Sequence, residues 1–314
     1  MTGGYTVSNK HAHTKIILLM IMATFFWAGA FIAAKLGVYE LSPVVLTFLR
    51  MGIAAIVIFP FMMKKLGPDW KIKKGELKFI MATATVGMIG YHMFFFTALQ
   101  YTTASKASMI NATNPLITAV LASVFANEKL SAKKIAMLFM ALFGVVYIIT
   151  GGSLEALLTF DLNKGDFIMF CGTMLWAIYG IIVKRGMPIL GPLKLSSYTF
   201  ALSALIMMPF ALFDFATTDA LTVGWGPYLA VIYMALFPTV LGYSIQQMAI
   251  AEIGPSKASL FINLVPIIST VLAVLFLGET IETYHIFGAS LIITAVFLYN
   301  RQKTHKEIPH KAHQ

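Results

Sequence analysis

The sequence predicts an all-α integral membrane protein: ten transmembrane helices arranged as two inverted repeats of five. Three observations carry this. The 314-residue chain is 59% hydrophobic and 11% charged, with a mean hydropathy of +0.81, whereas a soluble domain is about a quarter charged. The charges are gathered between apolar runs of roughly 20 residues, the length that crosses the ~30 Å hydrocarbon layer of a bilayer. One eleven-residue phrase is written almost twice, as SKASMINATNP at 105–115 and SKASLFINLVP at 256–266.

The spans fall at 16–34, 43–63, 77–99, 104–126, 134–150, 165–183, 193–213, 227–250, 256–277 and 284–300, with polar tails at 1–15 and 301–314. With the N-terminus in the cytoplasm, the inward segments hold Lys10, Lys15, Lys64, Lys65, Lys71, Lys73, Lys74, Lys129, Lys133, Lys134, Lys184, Arg185, Arg301, Lys303, Lys306 and Lys311. The outward loops hold Lys35, Lys106, Lys164 and mainly acids. This is the positive-inside pattern. It predicts a multi-pass protein of the cytoplasmic membrane with both termini cytoplasmic. It also accounts for the net charge of +10 without a nucleic-acid partner. Lys10 to Lys15, an apolar run and Ala28-Gly29-Ala30 have the outline of a cleavable signal peptide. The first span has a counterpart later in the chain, however, and is read as part of the fold.

That counterpart appears on sliding the sequence by 149, which lays Trp27 on Trp176, Lys35 on Lys184, Pro43 on Pro192 and Pro60 on Pro209. A slide of 151 lays Gly87 on Pro238, Pro115 on Pro266 and Glu128 on Glu279. The repeats are therefore read as 16–150 and 165–300. Five spans is an odd number, so the second copy enters the membrane upside down. Inverted repeats point to a transporter with its site between the halves near the midplane.

Trp27-Ala28-Gly29-Ala30-Phe31 in the first span, Phe48-Leu49-Arg50 in the second, Asn-x-x-Pro and Asn127-Glu128-Lys129 in the fourth, and Leu277-Gly278-Glu279 ending the ninth resemble the EamA family of the drug/metabolite transporter superfamily. The resemblance covers about 16 to 300. It implies a basket-like bundle in which spans 1, 3, 4, 6, 8 and 9 line a central cavity, and it implies export more readily than import. Members carry amino acids, amines, nucleotide-linked sugars or other metabolites.

Trp27 and Trp176 each lie 12 residues after a lysine, roughly 18 Å along the helix and near the midplane. They are too deep for an interfacial belt. They either pack between helices or line a pocket that stacks on a ring or cation, and Tyr179 follows Trp176 by one turn. Pro115 and Pro266 interrupt their helices. Asn111, Asn114 and Asn263 stand just before them and either re-satisfy the broken ladder or contact a substrate. Gly87 and Pro238 occupy matching weak points of spans 3 and 8, as hinges or as packing kinks; Pro115 and Pro266 are the other candidate hinges. Tyr91-His92 is the sharpest polar spot of the first half, and an ionisable residue inside a span is a functional candidate; a neutral, hydrogen-bonded histidine is the plainer reading. Its matching zone is Tyr243, followed by Gln246 and Gln247. His92 and Tyr243 are read as two ends of one pathway, an outer and an inner gate.

Arg50 lies about 10 Å from the outer end of span 2, has Thr199 at its counterpart position, and is read as snorkelling outward or binding a helix end, in preference to binding substrate. Lys106 and Lys257 open spans 4 and 9; Glu128 and Glu279 close them, as gate partners or interface markers. All 13 acids lie in loops or at span ends, so no buried carboxylate relay is expected. Transport is then downhill, unless His92 carries the proton. The lone Cys171 leaves no disulfide framework and no cysteine metal site, and no cofactor is expected. No HExxH helix, Gly-x-Ser-x-Gly, P-loop or carboxylate pair suggests an enzyme; a receptor or scaffold is the other rival. The expected partners are a small-molecule substrate, the lipid bilayer and, as an option, a second copy of the chain.

Overall fold

The computed structural model describes residues 4–126, 131–158, 163–218, 222–253 and 261–301. Glu128, Lys257 and the C-terminal tail beyond Arg301 lie outside the described residues, as does the side chain of Gln247.

All described secondary structure is helical. Among the described residues, seven stretches are long and apolar enough to cross a membrane: Thr14–Gly37, Pro43–Trp70, Leu77–Tyr101, Ala132–Ile149, Lys164–Leu190, Pro192–Thr217 and Trp225–Gln246. Two apolar helices, Val265–Leu277 and Thr283–Tyr299, are shorter. Apolar side chains turned outward, among them Ile56, Phe139, Phe213, Leu275 and Phe276, suit lipid rather than water.

Helix α1 is Gly4–Gly37. Helix α2 (Pro43–Leu66) opens with proline, whose missing N–H costs nothing in the first turn, and the Ser42 hydroxyl accepts from Val45 N. Helix α3 (Leu77–Tyr101) contains a π-helical stretch, Thr83–Tyr91. The fourth predicted span is two helices, α4 (Ala104–Asn111) and α5 (Asn114–Ala126). Pro115 cannot donate to the Asn111 carbonyl, and the chain turns at Ala112-Thr113 before restarting. Helices α6 (Ala132–Ile149) and α7 (Leu154–Leu158) follow, then α8 (Lys164–Leu190) and α9 (Pro192–Thr217). Helix α10 runs as Trp225–Met234, the π-helical Ala235–Gly242 and Tyr243–Ile253. Helix α11 (Val265–Leu277) follows a turn at Asn263-Leu264, and α12 is Thr283–Arg301.

Helix α2 packs on α9 and α6 on α12; α3 lies against α8, and α1 against α10 and α11. The largest buried apolar cluster draws on α1, α2, α3, α4, α8, α10 and α11, including Phe31, Val45, Phe95, Phe96, Met169 and Met234. The centre of the bundle is thus enclosed by α1 and α8 together with the broken and π-bulged helices, while α2 pairs with α9 and α6 with α12.

Candidate functional site

A cavity of about 120 Å³ sits among these central helices. Trp27, Ala30 and Phe31 of α1 line it, with Arg50 of α2 and Tyr91, His92 and Phe95 of α3. Ser108, Asn111 and Ala112, Trp176 of α8, Tyr243 and Gln246 of α10, and Ile262, Val265 and Pro266 complete the wall. Both halves of the chain contribute.

The aromatic wall is built around Trp176. Its ring centroid lies 4.6 Å from Tyr91, 4.6 Å from Tyr179 in a stacked arrangement, and 6.2 Å from Tyr243. Tyr179 is not a lining residue; it backs Trp176 and fills the space over Gly87, where any Cβ would run into its ring. Gly87 therefore marks a close approach of α3 to α8 inside the π stretch. Trp27 is held differently: its indole N–H donates to the Pro238 carbonyl at 3.1 Å, and a Cβ on Gly242 would sit 2.8 Å from that nitrogen.

His92 is 1% exposed, and its Nδ1 lies 2.9 Å from the Met88 carbonyl of its own helix. A carbonyl only accepts, so Nδ1 carries the hydrogen and fixes the tautomer. The reading of His92 and Tyr243 as opposite ends of a pathway does not match the geometry, because both line one cavity with Trp176 between them. Asn111 lines the cavity and its Oδ1 faces the Thr173 hydroxyl at 3.5 Å. Asn114 is set back: its amide donates to the Thr173 carbonyl at 3.3 Å, bracing the restart of the broken helix on α8. Asn263, also off the wall, is buried in the turn before α11.

Arg50 departs from expectation. It does not snorkel: it is 6% exposed, lines the cavity, and donates from Nε to Thr239 Oγ1 at 3.1 Å. Thr239 in turn donates to the Met234 carbonyl five residues back at 2.8 Å, inside the π stretch of α10. Phe31, Phe95 and Ser108 also escaped the sequence reading. Phe31 was visible as the residue one turn past Trp27, on the same helix face.

One end of the bundle is closed by polar contacts. Lys35 at the end of α1 donates to the Leu99 and Thr102 carbonyls at 2.6 and 2.8 Å. Glu279 accepts from the Ala104 and Ser105 amides at 2.7 and 3.1 Å and from the Ser105 hydroxyl at 2.5 Å. Asp166 accepts from the Thr102 hydroxyl and pairs with Lys106 at 3.5 Å. At the other end Lys194 pairs with Glu76 at 2.8 Å and donates to the Lys71 carbonyl at 2.7 Å. Burial alone would raise the Glu76 carboxyl; its bonds from Lys194 and the Lys73 amide outweigh this and hold it below the ordinary value. Acids do lie at helix ends as read, yet Asp166 and Glu76 are buried, at 0% and 4% exposure.

Known proteins resemble this chain along nearly its whole length. A relative described as an uncharacterized transporter, YyaM of Bacillus subtilis, is 32% identical over 285 residues, covering 90% of this chain and 93% of that protein. A probable amino-acid metabolite efflux pump of Salmonella typhimurium is 26% identical over 296 residues, covering 89% and 93%. A solved crystal structure matches with a TM-score of 0.60 at 20% identity, over 91% of this chain and 96% of that one, a likeness of fold alone. The model of the EamA-like transporter family matches twice, at residues 14–150 and 163–301, so that every wall residue named above falls inside one match or the other. A multi-pass helical bundle with an interior cavity, matched end to end by transporters, is a transporter and not an enzyme: the chain belongs to the EamA-like transporter family.

Proposed function

We propose that this protein is a secondary transporter that exports a small metabolite, an amino acid, an amine or a related compound, across the cytoplasmic membrane by alternating access. It does so with ten spans in two inverted repeats, 16–150 and 165–300. The observation that carries the reading is a set of matched helix irregularities around one shared cavity. The π stretches Thr83–Tyr91 and Ala235–Gly242 coincide to within a residue at an offset of 151. The turns at Ala112-Thr113 and Asn263-Leu264 coincide at the same offset. The packing follows suit: α2 on α9 and α6 on α12 pair equivalent helices, and α3 on α8 mirrors α10 on α1. Irregular backbone in a membrane is tolerated where it lines a cavity, and two like halves of opposite orientation exchange shapes readily.

Substrate occupies the cavity, held by Trp27, Tyr91, His92, Asn111, Trp176, Tyr243 and Gln246, with Tyr179, Asn114 and Asn263 behind the wall. Gly87, Pro115, Pro238 and Pro266 sit at the bends where the helices flex. The Lys35–Glu279 end faces outward by the positive-inside rule, and the Glu76–Lys194 end inward. Substrate favours the switch only by its differential affinity for the two states. The name of the Salmonella typhimurium relative, an amino-acid metabolite efflux pump, supports both the direction and the substrate range.

The test is efflux from proteoliposomes loaded with labelled amino acids and amines, at two external pH values. Saturable efflux at both pH values is expected, since no carboxylate relay crosses the cavity among the described residues. Gradient-driven efflux lost in His92→Ala would reassign the proton to His92. Flux no greater than from empty liposomes for every compound would reject the substrate range.

A further inference from the structure

Among the described residues Arg50 is the one cavity-lining residue with a permanent charge, and it has no ion-pair partner. Among the described residues the ion pairs are Lys73–Asp69, Lys106–Asp166 and Lys194–Glu76, none of which involves Arg50. Its one hydrogen bond runs from Nε to a neutral hydroxyl, Thr239 Oγ1. A guanidinium has five N–H donors in a planar fork, so the outer edge of the fork has no acceptor among the described residues.

The second half shows that this charge is not needed for the join. At the counterpart position stands Thr199, which makes the same kind of contact, hydroxyl to hydroxyl with Thr83 at 2.7 Å, between a flank helix and the π stretch of the opposite half. A neutral side chain therefore links the helices at far lower desolvation cost than a buried cation. A charge that lacks a partner in the empty cavity and is dispensable for packing is explained by a partner that arrives with the cargo. The fork geometry of arginine fits a carboxylate through two parallel hydrogen bonds. The Tyr91, Trp176 and Tyr243 rings offer an apolar flank, and Asn111 and Gln246 offer amides for the remaining polar groups.

Building on the transporter reading above, we infer that Arg50 anchors the anionic group of the substrate, and that the compounds carried are small carboxylates of the amino-acid type rather than simple amines or neutral sugars. The test uses the purified full-length chain, reading tryptophan fluorescence from the cavity indoles and efflux from proteoliposomes. The common amino acids are compared one by one with their carboxamides and decarboxylated amines. The acids are expected to bind at least tenfold more tightly than the matched amides. Arg50→Gln, which keeps a side-chain N–H for Thr239, abolishes that preference, and Arg50→Lys retains part of it. The acid-to-amide ratio of the unaltered protein decides the matter even if Arg50→Gln fails to fold. Amides or amines bound and carried as well as acids would overturn the anchor while leaving the carrier standing. An undiminished acid preference in Arg50→Gln would do the same. A protein that neither binds nor moves any compound tested would overturn both readings.

Discussion

Glu279, two residues past the end of α11, caps the first turn of α4 at Ala104 and Ser105, which lie 175 and 174 positions earlier in the chain. A carboxylate there satisfies amides that the helix itself leaves without acceptors and complements its dipole. Because one acid joins two central helices, it staples their shared end. Removing such a cap costs about 1–2 kcal/mol. In Glu279→Gln the bundle should therefore open at this end about ten times more often. A cysteine at Ala112, in a Cys171→Ala background, reports this through its labelling rate with an impermeant maleimide added outside. An unchanged rate would show that the staple does not govern opening.

Trp176 is sandwiched between Tyr91 and Tyr179, each 4.6 Å away. Such contacts contribute about 0.5–1.5 kcal/mol apiece beyond area burial. Trp176→Ala should slow transport at least tenfold and lower the melting temperature, since Trp→Ala removes about 3–5 kcal/mol from a packed site. Trp176→Phe keeps a ring in the sandwich and should restore stability more than transport. Equal recovery of both in a paired melting and flux assay would reduce Trp176 to a packing residue.

Gly87 leaves no room for a Cβ beneath the Tyr179 ring. Gly87→Ala should destabilise the protein by about 1–3 kcal/mol through overpacking. The loss should shrink when Tyr179→Ala is present as well, a coupling that a double-mutant cycle in detergent reads directly. Additive losses would mean that the strain is relieved elsewhere.

The general plan was legible in the sequence because a bilayer imposes it: span length, charge-marked loops and the doubled SKAS phrase all follow from solvent and repetition. The helix breaks were legible too, since Pro115 and Pro266 cannot continue the ladder. The π stretches were not, because one extra residue per turn leaves composition and apolar run length unchanged. Arg50 was misread for a related reason. Its depth in α2 allowed snorkelling, and its partner Thr239 lies 189 positions away, where no local pattern points to it. Asn114 had the right residue type beside a proline, yet only the packing of α5 on α8 shows that its amide is occupied by Thr173.

The Glu76–Lys194 pair closes the opposite end at 2.8 Å, with both side chains about 95% buried. The folded carboxyl titrates below its unfolded value of 4.5. Its stabilising contribution is therefore complete above about pH 5 and fades as pH falls through the lower folded value. Glu76→Gln should cost about 3 kcal/mol near neutrality by stranding Lys194, and the variant should lose the part of the acid-dependent drop in melting temperature that this pair supplies. Parallel pH profiles for the two proteins would contradict the assignment.

The bond from Arg50 to Thr239 also has a history within each molecule. The arginine leaves the ribosome 189 residues ahead of the hydroxyl that receives it, roughly 10–40 s at ordinary synthesis rates. During that interval the Arg50 guanidinium lacks the Thr239 hydroxyl. A nascent chain halted before α10 has no Thr239 to receive the Arg50 N–H. Pulse-chase of a chain ending at 218 should show faster degradation than the same fragment carrying Arg50→Thr, marking Arg50 as a checkpoint that only a complete protein passes.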